Sequence, residues 1–231
     1  MNGYQDVADY IAEQIANGNL QSGTRLPPER QFSKQLKISR LTLRAALIKL
    51  EADGLVYGKS RRGWFVSPSR FIYNLGQKAN YNSMASAQGR AARIELLGSG
   101  TFTSTNLPEP LRSKSGGEAS CLQRVRYLDD RPVMFESIFL VSDAVPDVLG
   151  HNLCDSITNL LVRDYGIEID REETNVRSAL LDAVQAAAMG VAPGTHSLMI
   201  ERLRFAKGKL IEFDAEHWLP GAIELHIATP V

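Results

Sequence analysis

The chain has 231 residues, 44% of them apolar and 23% charged, with 26 basic side chains against 26 acidic ones. That composition supports buried cores rather than a disordered chain, and no apolar run approaches the roughly 20 residues that a membrane-spanning helix needs. The net charge of zero hides an asymmetry: residues 1–68 hold 10 Lys and Arg against 6 Asp and Glu, and the remainder 16 against 20, so only the front is suited to a polyanion.

Val7, Ile11 and Ile15 recur at helical spacing between Tyr4 and Ala16, and Asn17-Gly18 ends the run. Pro27-Pro28 before Glu29 starts a second, short helix that ends near Leu36, because proline tolerates a first turn and a carboxylate favours the positive end of the helix dipole. Ser39 is suited to cap a third helix. Around that helix Leu43, Ala46, Leu47 and Leu50 form one apolar stripe, Leu41 and Arg44 point away from it, and Arg40 sits at the edge of the first turn. Asp53-Gly54 ends the helix. Leu55–Tyr57 and Trp64–Val66 then read as short strands around a loop carrying Lys59, Arg61 and Arg62.

Three helices and a basic hairpin describe a winged helix-turn-helix, whose third helix enters the major groove of DNA by its N-terminal residues while the wing reaches the neighbouring backbone or minor groove. Arginine offers a planar fork matching guanine O6 and N7, and contacts from Arg30, Thr42 and the wing to phosphates would set the register. A solvated basic helix on a protein-binding winged helix is the alternative that the pattern leaves open.

From Ser67-Pro68-Ser69 to about Asn80 the chain reads as a linker. Beyond it, QRVRYLDDRPVMFE (123–136) aligns without gaps to ERLRFAKGKLIEFD (201–214) at an offset of 78. Both alternate, turn at Asp-Asp or Lys-Gly and run on apolar, the pattern of a β-hairpin. Helix candidates at 156–166, capped by Ser156, and at DAVQAAAMG, ended by Gly190, make this a repeated α+β unit on a mostly antiparallel sheet; chance likeness of two amphipathic hairpins is the alternative. Arg124 and Arg126 share one strand face, and Glu136 can join them. From spacing they are either a surface ion-pair cluster or an anion site.

The stretch LPPERQFSKQLKISRLTLRAALIKLEADGLV resembles the N-terminal motif of the GntR family of bacterial transcription regulators, over about residues 4–66. The resemblance implies operator contacts by Arg30, Ser39, Arg40, Thr42 and Arg44, and by Ser60, Arg61, Arg62 and Gly63 of the wing. Leu41 replaces the Thr or Ser frequent after the first arginine, and Arg61 a frequent wing glycine. Roughly residues 70–231, best in ERLRFAKGKLIEFDAEHW, resemble the UTRA effector domain of the histidine-utilisation-repressor (HutC) subfamily, whose fold is similar to that of chorismate lyase. In sugar-phosphate-sensing members an arginine pair and a serine opening the following helix hold phosphate, and Arg124, Arg126 and Ser156 stand at those positions. Glu136, and the pair Glu212 and Trp218, match further ligand positions, and Asn82 and Ser83 fall near the anion. The sequence departs from many relatives at Trp218-Leu219-Pro220-Gly221-Ala222, where they read aromatic-Arg-x-Asp. With Glu136, Glu212 and Asp214 near two arginines, the expected ligand has an anionic head, phosphate or phosphonate, and a polar or cationic tail.

The expectation is therefore an α+β chain: a winged helix-turn-helix domain at 1–68, a linker at 69–80, and a chorismate-lyase-like antiparallel sheet domain with flanking helices at 81–231 that binds effector and dimerises. It would act as a homodimeric repressor on a palindromic double-stranded DNA operator, with no membrane partner. MNGYQDVADY lacks the features of a secretion signal, and Cys121 and Cys154 have no metal-ligand spacing, which suits a reducing cytoplasm and two buried thiols. His151, His196, His217 and His226 show no metal spacing either, and a surface strand position is expected for His217. Gly98-Ser99-Gly100 reads as a turn without phosphate-loop context. No metal, cofactor or catalytic residue is expected. The rival class is a lyase-like enzyme acting on a small organic acid, with the winged helix as a docking module, but no general base with an oriented partner is evident.

Overall fold

The computed structural model describes residues 3–59, 62–76, 80–112 and 117–228. The chain divides into two units, residues 1–76 with 220–231, and residues 77–219. In the first, α1 (Tyr4–Ala16), α2 (Glu29–Gln35) and α3 (Arg40–Ala52) precede an antiparallel hairpin of β1 (Val56–Lys59) and β2 (Gly63–Val66). Ser39 caps α3 as expected, its hydroxyl accepting from the Thr42 amide at 3.0 Å. The stripe Leu43, Ala46, Leu47 and Leu50 is buried against Val7, Ile11, Leu26, Phe32, Val56 and Val66. Each large apolar side chain so buried contributes about 1.5–3 kcal/mol, which sets the angle at which α3 is presented.

The segment expected as a linker over 69–80 instead contains a strand, β3 (Phe71–Asn74), which pairs in parallel with a strand near the C-terminus, Ile223–His226. Phe71, Tyr73 and Ile223 are buried there, so residues 220–231 group with the front of the chain rather than with the second domain. The returning segment meets the end of α3 at two glycines. Gly54 has φ +78°, and a Cβ on it would stand 2.9 Å from Arg70 Nη2 and 3.2 Å from the Gly221 Cα. Arg70 in turn donates to the Asp53 carbonyl at 3.0 Å. Only residues without a side chain permit this approach.

The second unit runs α4 (Tyr81–Ala87), β4 (Ala92–Thr103), α5 (Glu109–Arg112), β5 (Glu118–Leu128), β6 (Arg131–Val141), α6 (Ile157–Tyr165), β7 (Arg171–Leu180), α7 (Ala183–Met189), β8 (His196–Ala206) and β9 (Lys209–Trp218). The strands form one antiparallel sheet in the order β4-β5-β6-β9-β8-β7. The offset of 78 carries β5 onto β8 and β6 onto β9, and also relates α4 to α6 and β4 to β7, so the repeat is architectural and not a chance likeness. Even the irregularities correspond: each hairpin shifts register after its second arginine, between Arg126 and Tyr127 and between Arg204 and Phe205. Each turns through two left-handed residues, Asp129 and Asp130 at φ 49° and 60°, Lys207 and Gly208 at φ 50° and 76°, the geometry of a two-residue hairpin turn. The pseudo-two-fold axis passes between β6 and β9, where Ser137 faces Ala215.

Period-two alternation sends Leu122, Ile138 and Leu140 to one sheet face, under Ile157, Leu160 and Leu161 of α6. Ala119, Val141, Phe213 and Ala215 go to the other, with Leu107 and Leu111. Three local expectations are corrected. His217 is buried, its Nδ1 3.1 Å from Ser197 Oγ, and burial lowers its pKa. Cys154 is exposed, whereas burial pushes the Cys121 thiol up to about 12. Gly98-Ser99-Gly100 lies inside β4 beside a bulge at Leu96/Gly98 rather than in a turn.

Candidate nucleic-acid interface and effector site

The first unit presents the expected cations outward. Arg30 on α2 and Arg40 and Arg44 on α3 are exposed, and so are Ser39, Arg62 and Gly63. The Ser39 and Thr42 hydroxyls lie 2.8 Å apart at the start of α3, where the free amides of the first turn favour an anion. Leu41, at 81% exposure, stands among these arginines. Ser60 and Arg61 lie outside the described residues. Sequence reasoning missed what steadies the wing. The Trp64 indole donates to Glu29 at 3.1 Å and the Gly58 amide to Glu51 at 3.0 Å, tying the hairpin to α2 and α3. Lys59 stands over the Tyr57 and Phe65 rings. Arg25 bridges to Phe65 through its backbone, and its guanidinium lies beside Gly63. Trp64 and Glu29, and Arg25 and Phe65, are far apart in sequence, and their pairing carries no local signal.

In the second unit, Glu136 is fully buried between both expected arginines. Its Oε1 accepts from Arg124 Nε at 2.6 Å and Arg126 Nε at 2.9 Å, and its Oε2 from Arg126 Nη2 at 2.8 Å. Burial alone would raise its pKa; the two guanidinium charges outweigh that and hold it at about 2. Arg124 Nη1 also donates to the carbonyls of Leu153 and Asp155 at 2.8 and 3.0 Å, which fixes the loop leading to Ser156, the cap of α6. Arg126 lies 4.8 Å from the centre of the Tyr81 ring, at the start of α4. The Tyr81 hydroxyl donates to the Tyr127 carbonyl at 3.0 Å. Asn82 and Ser83, in the same first turn, are exposed. Trp218 is fully buried, its indole donating to Glu216 at 2.8 Å and its ring 6.3 Å from that of Tyr81. Thus Arg124, Arg126 and Glu136 meet directly, Ser156 is tied in through Asp155, and Trp218 forms a wall behind Tyr81.

The second hairpin repeats the arginines but not their partners. Arg202 donates to Glu216 at 2.8 Å and lies 3.5 Å from Glu172; Arg204 donates to Glu172 at 2.7 Å and also to Glu212. Burial opposes the charge on Arg204, but Glu212, Asp214 and Glu172 overcome it and raise its pKa. Asp214, the counterpart of Glu136, is held by neither arginine; burial, with the Glu216 and Glu136 charges, pushes its pKa well up. Oxygens of Glu136, Asp214 and Glu216 lie within 4.8 Å of one another. All four of those on Glu136 and Glu216 already accept hydrogen bonds from Arg or Trp, a poor donor set for a metal ion.

Residues 3–66 match the bacterial regulatory proteins of the gntR family and residues 87–223 the UTRA domain. Over 227 residues the chain is 27% identical to the HTH-type transcriptional regulator YihL of Escherichia coli (strain K12), covering 92% of each. It is 28% identical over 206 residues to the HTH-type transcriptional repressor NagR of Bacillus subtilis (strain 168), covering 87% of this chain and 84% of NagR. The fold is similar to that of PhnF from Mycobacterium smegmatis, with a TM-score of 0.66 at 23% identity over 99% of each chain. With both halves matched in this order, and with exposed arginines heading α3, the chain belongs to the GntR family of bacterial regulatory proteins as a DNA-binding transcription regulator with a UTRA domain, not an enzyme.

Proposed function

We propose that the protein is a cytoplasmic, homodimeric repressor whose hold on a palindromic operator is altered by a small effector with an anionic head, phosphate or phosphonate, bound at Arg124 and Arg126. The observation that carries this reading is the state of Arg124. Its Nε and Nη1 are fixed by Glu136, Leu153 and Asp155, while Nη2 makes no hydrogen bond among the described residues. A guanidinium already aimed loses little freedom when it takes an anion through its remaining N–H groups. Ser156 supplies a hydroxyl and the positive end of α6, and Asn82 and Ser83, exposed in the first turn of α4, would add further donors. Glu212 and Trp218 bound the tail of the ligand.

On the operator, Arg40 and Arg44 would read base edges, Leu41 suits a thymine methyl, and Arg30, Ser39, Thr42 and the wing (Ser60, Arg61, Arg62, Gly63) take phosphates. Two such heads bind half-sites about 34 Å, or a multiple, apart. The effector acts only through its differential affinity for two arrangements of the heads; about 1–3 kcal/mol suffices for a 5–150-fold response. β9, which carries Glu212 and Trp218, runs on through Leu219 and Pro220 to Gly221, and Gly221 lies against Gly54 at the end of α3. That continuity gives the ligand signal a covalent route.

The test uses fluorescence anisotropy on an operator selected from random duplexes with the wild-type protein, and sedimentation for the dimer. Arg44→Ala is expected to lose operator binding, and Arg124→Ala to keep it while losing the effector response. Wild-type operator affinity in Arg44→Ala would show that α3 is not the reading helix.

A further inference from the structure

On the face of the sheet that α6 covers, the apolar core gives way to a polar row. Leu122, Ile138 and Leu140 are buried there, and one step of alternation along the same strands brings Ser120 and Ser142 to that face. Thr101 on β4 stands directly opposite Ser120, Glu118 follows on β5, and the Ser142 amide donates to the Glu118 carbonyl at 3.2 Å. These residues and the segment 143–150 line a cleft of about 540 Å³, which also takes in Asp143 and Asp147. The segment is firmly held: Val145 and Val148 are fully buried in the core, and the Tyr165 hydroxyl donates to the Pro146 carbonyl at 2.7 Å.

The fold does not itself require hydroxyls at this place, because the offset of 78 puts Leu198 and Pro220 where this half has Ser120 and Ser142. Ser120 is only 7% exposed, yet its hydroxyl bonds to no described residue, and Ser142 Oγ is buried without a partner. Unpaired buried hydroxyls are unfavourable. Glu118, Asp143 and Asp147, all exposed, make no ion pair among the described residues, and no basic side chain lines the cleft.

We infer that this cleft is a second small-molecule site and that it takes a linear diamine. Its volume is that of an ordinary ligand pocket. Ser120 lies four residues, about 13 Å of strand, from Arg124, so the site does not depend on the anion reading there. Three carboxylates without a cation select a positively charged ligand, whereas a neutral polyol would leave them unmatched. They are not gathered within 4.8 Å as the oxygens of Glu136, Asp214 and Glu216 are, which suits separated ammonium groups better than one metal ion. The hydroxyls of Thr101, Ser120 and Ser142 can accept the remaining ammonium hydrogens, while Pro146 and Leu149 offer apolar surface to a methylene chain.

The experiment is calorimetry on the full chain with 1,4-diaminobutane and 1,5-diaminopentane, each against the monoamine of the same length and against magnesium chloride. The expected result is saturable binding of one diamine per chain, about tenfold tighter than the monoamine, the worth of one added charge-assisted contact. Asp147→Asn should weaken it about tenfold; residue 147 has φ 56°, a conformation asparagine tolerates, so the variant keeps its fold. Ser120→Leu, which installs the side chain that the second half carries, should abolish binding with an unchanged near-UV circular dichroism spectrum. No saturable diamine binding, equal binding of monoamine or magnesium, or undiminished affinity in both variants overturns the site. None of these outcomes touches the response at Arg124.

Discussion

Replacing Glu136 by Gln removes one negative charge from between two buried guanidinium groups and changes little else in shape. Its carboxyl is held at about 2, against an ordinary 4.5. At about 1.36 kcal/mol per unit, that depression corresponds to about 3 kcal/mol of stability at neutral pH. An independent route gives a similar size: breaking a buried ion pair by removing one partner costs about 3–5 kcal/mol. For a chain of this length each kcal/mol shifts Tm by about 2–4 °C, so Glu136→Gln should melt roughly 6–20 °C lower at pH 7. The sign with pH follows from the depressed pKa. The contribution is complete above the unfolded carboxylate range and is lost as pH falls toward 2. The gap between wild type and variant should therefore narrow by about a third or more at pH 3.5. Near-UV circular dichroism melts of the ligand-free chain from pH 7 to 3.5 measure this. A Tm within about 2 °C of wild type at pH 7, or a gap that ignores pH, refutes the buried-pair account.

Asp214→Asn should act in the opposite direction. Its carboxyl has a raised pKa in the folded chain, so the stability it permits is full below the unfolded value near 3.9 and declines as pH rises toward the folded one. The variant should melt higher than wild type at pH 7–8, with the gain fading toward pH 4. Gly54→Ala forces a left-handed residue to carry a Cβ that meets Arg70 and Gly221; a loss of about 1–2 kcal/mol in denaturant unfolding is expected from the backbone alone. A neutral result there would mean that residue 54 does not hold the left-handed conformation that its φ of +78° describes.

Much of this architecture was legible in the chain itself because its causes are local. The Ser39 cap, the stripe from Leu43 to Leu50 and the Gly54 stop depend on helical periodicity and on groups within one or two turns. The hairpins at 123–136 and 201–214, with their left-handed turns, depend on alternation and on a two-residue turn. The offset of 78 pointed to a repeated α+β unit on a mostly antiparallel sheet, and the spacing of Arg124 and Arg126 put those two on one face. The pairing of Glu136 with Arg124 and Arg126 was also within reach, since it needs only that hairpin.

What lay beyond the sequence was decided by partners distant along the chain. The linker became a strand because residues 223–226 return to pair with 71–74, a parallel match with no local signature. His217 is buried on β9 with its Nδ1 against Ser197 of β8, a partner twenty residues away that its own segment does not reveal. Asp214 and Glu136 align perfectly in sequence, yet one holds two arginines and the other none. The difference arises because Glu172, on a strand some 40 positions earlier, and Glu216, beside the Trp218 indole, reach the second arginine pair first. Local periodicity therefore determined which elements form and which face each charge takes; only the folded sheet, through competition among buried carboxylates for a limited number of guanidinium donors, decided which of those charges is left without a partner.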